Sequence, residues 1–288
     1  MTADDGTIEW RRLYDEARQR LSVVSDNADI DARRIVEEAG GFEGAEFVLG
    51  LRELVTERGV VRFDRMVERR LQGEPLQYVV GRWGFRTLDL AVDQRVLIPR
   101  PETEVVVEEA LAELDRIQGT RVLDLGTGSG AIALSIAAER QHTEVWAVER
   151  SADALAVARA NLSGLGRAAV RVRLVEGTWF DPLDSELAGS FDLIVSNPPY
   201  VAADDPLPPL VADWEPTAAL VPGPLGTEDV DHIIATARPW LAPEGVLVVE
   251  RAPDKADWAR RRALDAGCER AQIRPDLVER DRMLVASR

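Results

Sequence analysis

From residue 102 onward, apolar runs of two different periods follow one another, and this alternation constrains the fold more than any other feature of the sequence. Residues 102–117 carry Val106, Ala110, Leu114 and Ile117 at helical spacing. Residues 121–125 form a short apolar run that reads as a strand, and residues 130–140 read as a helix. Further strands are expected over 144–149, 170–175, 191–196 and 245–250, with helices over 152–162 and 230–241. Strands and helices in succession predict an α/β domain with a parallel sheet covered on both faces. Ligands of such sheets bind beyond the carboxyl ends of the strands.

The region before residue 99 is built differently. Leu13, Ala17 and Leu21, then Ile30, Ile35 and Val36, then Phe47, Leu51, Leu54 and Val55, then Phe63, Met66, Val67 and Leu71 recur at helical spacing, and predict a small helical bundle over residues 1–72. Residues 73–98 hold short strand-like runs at 77–80, 87–92 and 96–98, with Gly81 and Gly84 between them. A β-hairpin linker is the expectation there, followed by the α/β domain over 99–288. At 288 residues and 45% hydrophobic, the chain is long and apolar enough for a large core plus a small one.

Composition removes several function classes. Cys268 is the single cysteine, and His142 and His232 are the two histidines, so neither a disulfide nor a zinc or iron site is expected. No apolar run reaches the ~18 residues of a membrane span, and the acidic start Met1 to Trp10 has no signal-peptide pattern. A cytoplasmic location without membrane attachment is the expectation. The formal net charge of −16 opposes sequence-independent binding to nucleic acid, which depends on neutralising phosphates, so no direct nucleic-acid binding is expected.

Two segments at predicted strand ends carry chemistry. Val122-Leu123-Asp124-Leu125-Gly126-Thr127-Gly128-Ser129-Gly130 reads as strand, glycine turn and helix start. Glycines let a backbone approach a ligand closely. The dinucleotide fingerprint fails, because Ala131 stands at its third glycine and Gly130 comes one position early. That favours an amino-acid-bearing nucleoside such as S-adenosylmethionine over a pyrophosphate cofactor, with Asp124 able to face a cationic group. Glu149 ends the next strand, 23 residues after Gly126, where a carboxylate accepts from ribose hydroxyls. Trp179 follows the third strand and either stacks on a base or covers the sheet as a core aromatic.

The second segment is Asn197-Pro198-Pro199-Tyr200, at the end of the apolar run 191–196. The prolines fix the backbone and donate no hydrogen bonds. Asn197 offers a side-chain acceptor, and Tyr200 offers a flat aromatic face. Such a set suits an NH2 group on a planar carbon, its two hydrogens held by acceptors and its π-face stacked on a ring. Asn197, Pro198 and Tyr200 are therefore the candidate catalytic residues.

With these residues in view, the chain resembles the HemK/PrmC family of protein glutamine N5-methyltransferases. The resemblance rests on Gly73-Glu74-Pro75-Leu76-Gln77-Tyr78, on Ile98-Pro99-Arg100-Pro101-Glu102-Thr103-Glu104, on the glycine turn, on residues 177–183 and on residues 197–200. It implies a Rossmann-like class I methyltransferase with a mostly parallel seven-stranded sheet behind a helical substrate-recognition domain. It implies contacts to S-adenosylmethionine from Asp124, Gly126, Thr127, Gly128, Ser129, Gly130, Glu149, Trp179 and Asn197. Substrate contacts are implied for Asn197, Pro198, Pro199 and Tyr200, and for Arg100 and Glu102 in the entry segment, which as Arg100 to Glu104 is implied to line the methionine end of the cofactor. The implied partner is a peptide-chain release factor, modified at the glutamine of its Gly-Gly-Gln motif. A ribosomal-protein glutamine and a nucleic-acid adenine remain as alternative targets, since Asn-Pro-Pro-Tyr is shared with DNA adenine methyltransferases. Glu149 stands where the family usually has Asp, and residues 221–229 and 250–253 also depart from its pattern.

Overall fold

The sheet in the second half of the chain is ordered by side-chain alternation. A computed structural model describes residues 8–288. The first seven residues of the expected 1–72 bundle, and with them most of the acidic start, lie outside the described residues. The chain separates into two compact units, residues 1–82 with 209–214, and residues 83–208 with 215–288.

The first unit is helical, as its periodicity predicts. It contains α1 (Trp10–Leu21), α2 (Ala28–Gly40), α3 (Glu46–Gly50), α4 (Glu57–Leu71) and α5 (Leu76–Val80). Leu13, Ala17, Leu21, Ile35, Val36, Phe63, Met66 and Val67 are buried, and Thr56 caps α4 by accepting from the Gly59 N–H at 3.0 Å. Phe42 occupies a slot with Gly40 on one side and Gly50 on the other, and meets Trp10 edge-on at 5.7 Å. A buried ion pair, Arg70 Nε to Asp31 Oδ2 at 2.8 Å, joins α4 to α2. The strand expected over 77–80 is instead helix α5. Pro75 precedes its first residue and Gly81 ends it in the left-handed region at φ 82°, so a single turn is capped at both ends.

The second unit opens with the hairpin β1 (Arg82–Phe85) and β2 (Leu88–Ala91), narrower than the expected linker. Residues 96–98, also expected as a strand, form no strand. Arg86 ties the hairpin to the sheet domain through a two-pronged pair with Glu139, at 2.6 and 2.7 Å. Then follow α6 (Pro101–Ile117), β3 (Arg121–Leu125), α7 (Ala131–Glu139), β4 (Glu144–Glu149), α8 (Ala152–Gly164), β5 (Val172–Glu176) and β6 (Phe191–Ser196). After the short α9 (Pro209–Ala212), which belongs to the first unit, come α10 (Glu228–Ala237), β7 (Leu241–Glu250), α11 (Ala256–Asp265), β8 (Arg270–Pro275) and β9 (Asp281–Ser287).

Seven strands form one sheet in the order β5-β4-β3-β6-β7-β9-β8. Neighbours from β5 through β7 are parallel, and β9 runs against both β7 and β8. Along β3, Val122 faces the core packed by α6 and α7, while Leu123 and Leu125 face the core packed by α10 and α11. The same alternation holds along β6, where Leu193 and Val195 oppose Ile194, and along β7, where Val246 and Val248 oppose Leu247 and Val249. The chain runs from β3 outward to β5 and then returns to β6 on the other side of β3. That reversal opens a crevice at the carboxyl ends of β3 and β6. Among the described residues, no helix is long and apolar enough to cross a membrane.

Candidate active site

The four segments singled out in the sequence converge at this crevice. A cleft of about 1030 Å³ is lined by Gly126, Thr127, Gly128 and Ser129 after β3, by Glu149 at the end of β4, by Gly177 and Trp179 after β5, and by Asn197 and Pro199 after β6. Segments 95–100 and 216–219 contribute the opposite rim, with Arg100 among them.

The glycine turn is hung from β4 by its backbone and braced by side chains. Val148 O accepts from the N–H groups of Gly126 and Thr127 at 2.9 and 3.0 Å, so the turn is hung from the neighbouring strand. Gly130, at φ 88°, starts α7 where an added Cβ would lie 2.9 Å from Leu134 Cδ1, so both conformation and space require glycine. A Cβ on Gly126 would lie 3.5 Å from the Trp179 ring, which puts the indole beside the turn, on the cleft wall. Trp179 both lines the cleft and packs against the core on the α10 and α11 face of the sheet, so the structure fits either reading of it.

Glu149 is nearly buried, and its carboxylate is fixed at both oxygens. Oε2 accepts from Gly128 N–H and Oε1 from Ser151 N–H, each at 2.9 Å. Each oxygen keeps a second lone pair, so two hydroxyls can bond here without moving the side chain. Asp124 behaves differently from the expectation that it faces a ligand cation. It is fully buried beneath the turn and does not line the cleft. Its Oδ2 accepts from the Thr127 hydroxyl at 2.6 Å and the Ala133 N–H at 3.2 Å, while Oδ1 has no partner. Burial, with a smaller contribution from the Glu149 charge, pushes its carboxyl up to about 7. Asp124 thus braces the turn from below.

At the end of β6, the Ser196 hydroxyl donates to Leu125 O at 2.6 Å and locks the end of β6 to that of β3. The next residue, Asn197, is half-buried at the cleft edge, and its Nδ2 donates to Thr103 Oγ1 at 3.0 Å. Pro198 is buried. The Tyr200 hydroxyl donates to Glu250 Oε1 at 3.0 Å. Burial, followed by the nearby Glu250 charge, raises the Tyr200 pKa, so the phenol stays protonated.

The entry segment divides. Arg100 lines the cleft and pairs with Glu215 at 2.5 Å, while the other oxygen of Glu215 accepts from Ile98 N–H at 3.1 Å. One buried carboxylate thereby pins the rim. Glu102 lies off the cleft lining and pairs with Arg280 at 3.0 Å, so its expected ligand contact is not formed by this geometry. Thr103, within the entry segment, lines the cleft as Arg100 does, whereas Glu215 and Glu250 were given no ligand or positioning role from sequence. The available signal was an acidic residue closing the apolar run 245–250, the same pattern that drew attention to Glu149.

This donor set fits an adenine nucleoside with an amino-acid tail: a carboxylate for two hydroxyls, an indole and an apolar wall for a flat base, and a turn without side chains for close approach.

Residues 103–211 match the family model described as methyltransferase small domain, and residues 12–81 match the PrmC N-terminal domain. The release factor glutamine methyltransferase of Escherichia coli K12 is 36% identical over 279 residues, covering 96% of this chain and 98% of that protein. The chain belongs to the release factor glutamine methyltransferase family. The Xylella fastidiosa Temecula1 member is 45% identical over 224 residues, covering 77% of this chain and 80% of its own length. Among solved structures, a methyltransferase from Pyrococcus furiosus superposes with a TM-score of 0.50 at 18% identity, over 76% of this chain and 95% of that one. That likeness concerns the fold, which is the class I methyltransferase fold expected for the family.

Proposed function

We propose that this chain transfers a methyl group from S-adenosylmethionine to the side-chain amide nitrogen, N5, of a glutamine in a peptide-chain release factor, within its Gly-Gly-Gln motif. The observation that carries this is the setting of Asn197. Its amide nitrogen is engaged by Thr103, which leaves Oδ1 to accept from an incoming NH2 group at the edge of the cleft. Membership of the family supports the release factor as partner.

Each residue then has a chemical task. Glu149 receives the ribose hydroxyls, Trp179 flanks the base, and the turn 126–130 admits the amino-acid tail. When bound, the sulfonium supplies an electrophilic methyl group and leaves as a neutral thioether. An amide nitrogen is a weak nucleophile because its lone pair is delocalised into the carbonyl. Asn197 Oδ1 and the adjoining backbone carbonyl take its two hydrogens, and Tyr200 covers its π-face. The lone pair is thereby aimed along the forming N–C bond, and once that bond has formed the nitrogen, now carrying positive charge, releases one proton to solvent water. Positioning and fixed dipoles carry the rate.

The test uses methyl-labelled S-adenosylmethionine with purified release factor, with the same factor carrying alanine for the glutamine, with ribosomes and with DNA. Label on the intact factor alone is the expected result. Label on adenine, or undiminished label on the alanine variant, overturns the proposal. Asn197→Ala is expected to lose about 10²–10³ in turnover while binding S-adenosylmethionine normally by calorimetry.

A further inference from the structure

An Asn amide is nearly symmetric in shape, so packing alone does not decide which end faces a ligand; a hydrogen bond has to. Here the decision is made two residues away from the substrate. Glu250 is fully buried at the end of β7, and its carboxylate accepts from two hydroxyls: Thr103 Oγ1 at 2.8 Å on Oε2, and Tyr200 at 3.0 Å on Oε1. A threonine hydroxyl has one hydrogen. Because that hydrogen points at Glu250, only lone pairs remain to face Asn197, and Asn197 must present its NH2 end to them, at 3.0 Å. The opposite end, Oδ1, is then turned toward the cleft.

We infer that Thr103 and Glu250 are positioning residues that set the direction of the Asn197 amide, with Glu250 also fixing the tilt of the Tyr200 ring. The inference rests on Asn197 being the acceptor for the glutamine NH2. The chain of bonds has a direction while Glu250 is ionised: its carboxylate then only accepts, Thr103 passes its hydrogen to Glu250, and Asn197 passes one to Thr103. Reversal at any link turns an NH2 group toward the substrate NH2, where two donors meet. Neither residue touches the reacting atoms by this account; each acts through Asn197 or Tyr200.

The test compares Thr103→Val, Thr103→Ser and Glu250→Gln using release factor and S-adenosylmethionine. Thr103→Val keeps the shape and removes the hydroxyl. It is expected to lower kcat about tenfold or more, the scale of one aligned hydrogen bond, with affinity for S-adenosylmethionine unchanged within about twofold. Thr103→Ser restores the hydroxyl and is expected to recover most of the loss. Glu250→Gln keeps one acceptor oxygen and gains one NH2 group, so it can hold either Thr103 or Tyr200 as a donor but not both, and is expected to lose part of kcat, less than Thr103→Val. Thermal melts with and without cofactor separate these effects from misfolding, and Thr103→Ala replaces the valine variant if valine disturbs packing. Turnover of Thr103→Val near wild type while Asn197→Ala is inactive overturns this inference alone. So does a serine variant no better than valine. Full turnover by Asn197→Ala, or no transfer to the factor by the wild-type protein, removes the functional reading itself and this inference with it.

Discussion

Glu149 and Glu250 are both acidic residues closing an apolar strand, yet their surroundings give them different work. Glu149 faces the cleft and holds two backbone N–H groups, whereas Glu250 faces inward and holds two hydroxyls. Glu149→Ala removes the hydroxyl acceptor and leaves the Gly128 and Ser151 N–H groups without their partner. We expect affinity for S-adenosylmethionine to fall about 10–100-fold, read by calorimetry, with the melting temperature of the ligand-free protein changed far less than the ligand-induced shift. Glu149 and Asn197 were legible in the sequence because each sits at a fixed offset from a turn or strand end. The pairing of Thr103 with Glu250 was not, because it spans 147 residues and only the folded sheet brings them together. Asp124 was legible as a significant position but not in its role, since strand alternation around a turn does not reveal which side of the turn a carboxylate falls on.

At the scale of elements, periodicity located the helices and the interior strands. The runs 121–125, 144–149 and 191–196 coincide with β3, β4 and β6, because each is a mostly apolar stretch between turn residues. Residues 77–80 misled because a short run of Gln, Tyr and Val has the composition of a strand, while its conformation is decided by Pro75 and Gly81 at its ends. The last two strands and α11 were missed; on β8 the inward face is only Ala271 and Ile273, alternating with Arg270, Gln272 and Arg274, too short an apolar pattern to stand out. Phe42 offers a test of element packing. A Cβ on Gly50 would lie 2.3 Å from its ring, so Gly50→Ala has to displace Phe42 or separate α2 from α3. A loss of about 1–3 kcal/mol in unfolding free energy is expected, measured by denaturant titration. Binding of S-adenosylmethionine is expected to persist, because every residue lining the cleft belongs to the second unit.

At the scale of the whole molecule, the buried carboxyl beneath the glycine turn links stability to pH. Asp124 is raised from 3.8 to about 7 by folding, principally by burial. Between those values the folded protein keeps a proton that the unfolded chain has released. Its contribution to stability is therefore full below the unfolded value and is lost as pH rises through about 7. The slope is at most roughly 1.4 kcal/mol per pH unit for one group. Asp124→Asn cannot titrate, so its stability relative to wild type is expected to improve from about pH 4 to about pH 7 and to level off above that, read as the difference between paired denaturation curves. A constant difference across that range would show that Asp124 ionises normally. Charge belongs to this scale as well: the net −16 was visible in composition, and a small helical unit before a larger α/β one in periodicity, whereas the joining of residues 209–214 to the first unit was not.

The sheet order has a consequence for how long the site survives fluctuation. β3 and β6 lie in the interior of the sheet, while β5 and β8, the least buried strands, form its two edges. Arg270, Arg274 and Pro275 on β8 also make that edge a poor template for a further strand. Fraying begins at such edges and reaches the interior last. The amide protons of β3 and β6 therefore exchange with solvent only when the entire sheet opens. The glycine turn and Asn197 are anchored to those two strands, so the cleft floor keeps its shape through partial opening at either margin of the molecule.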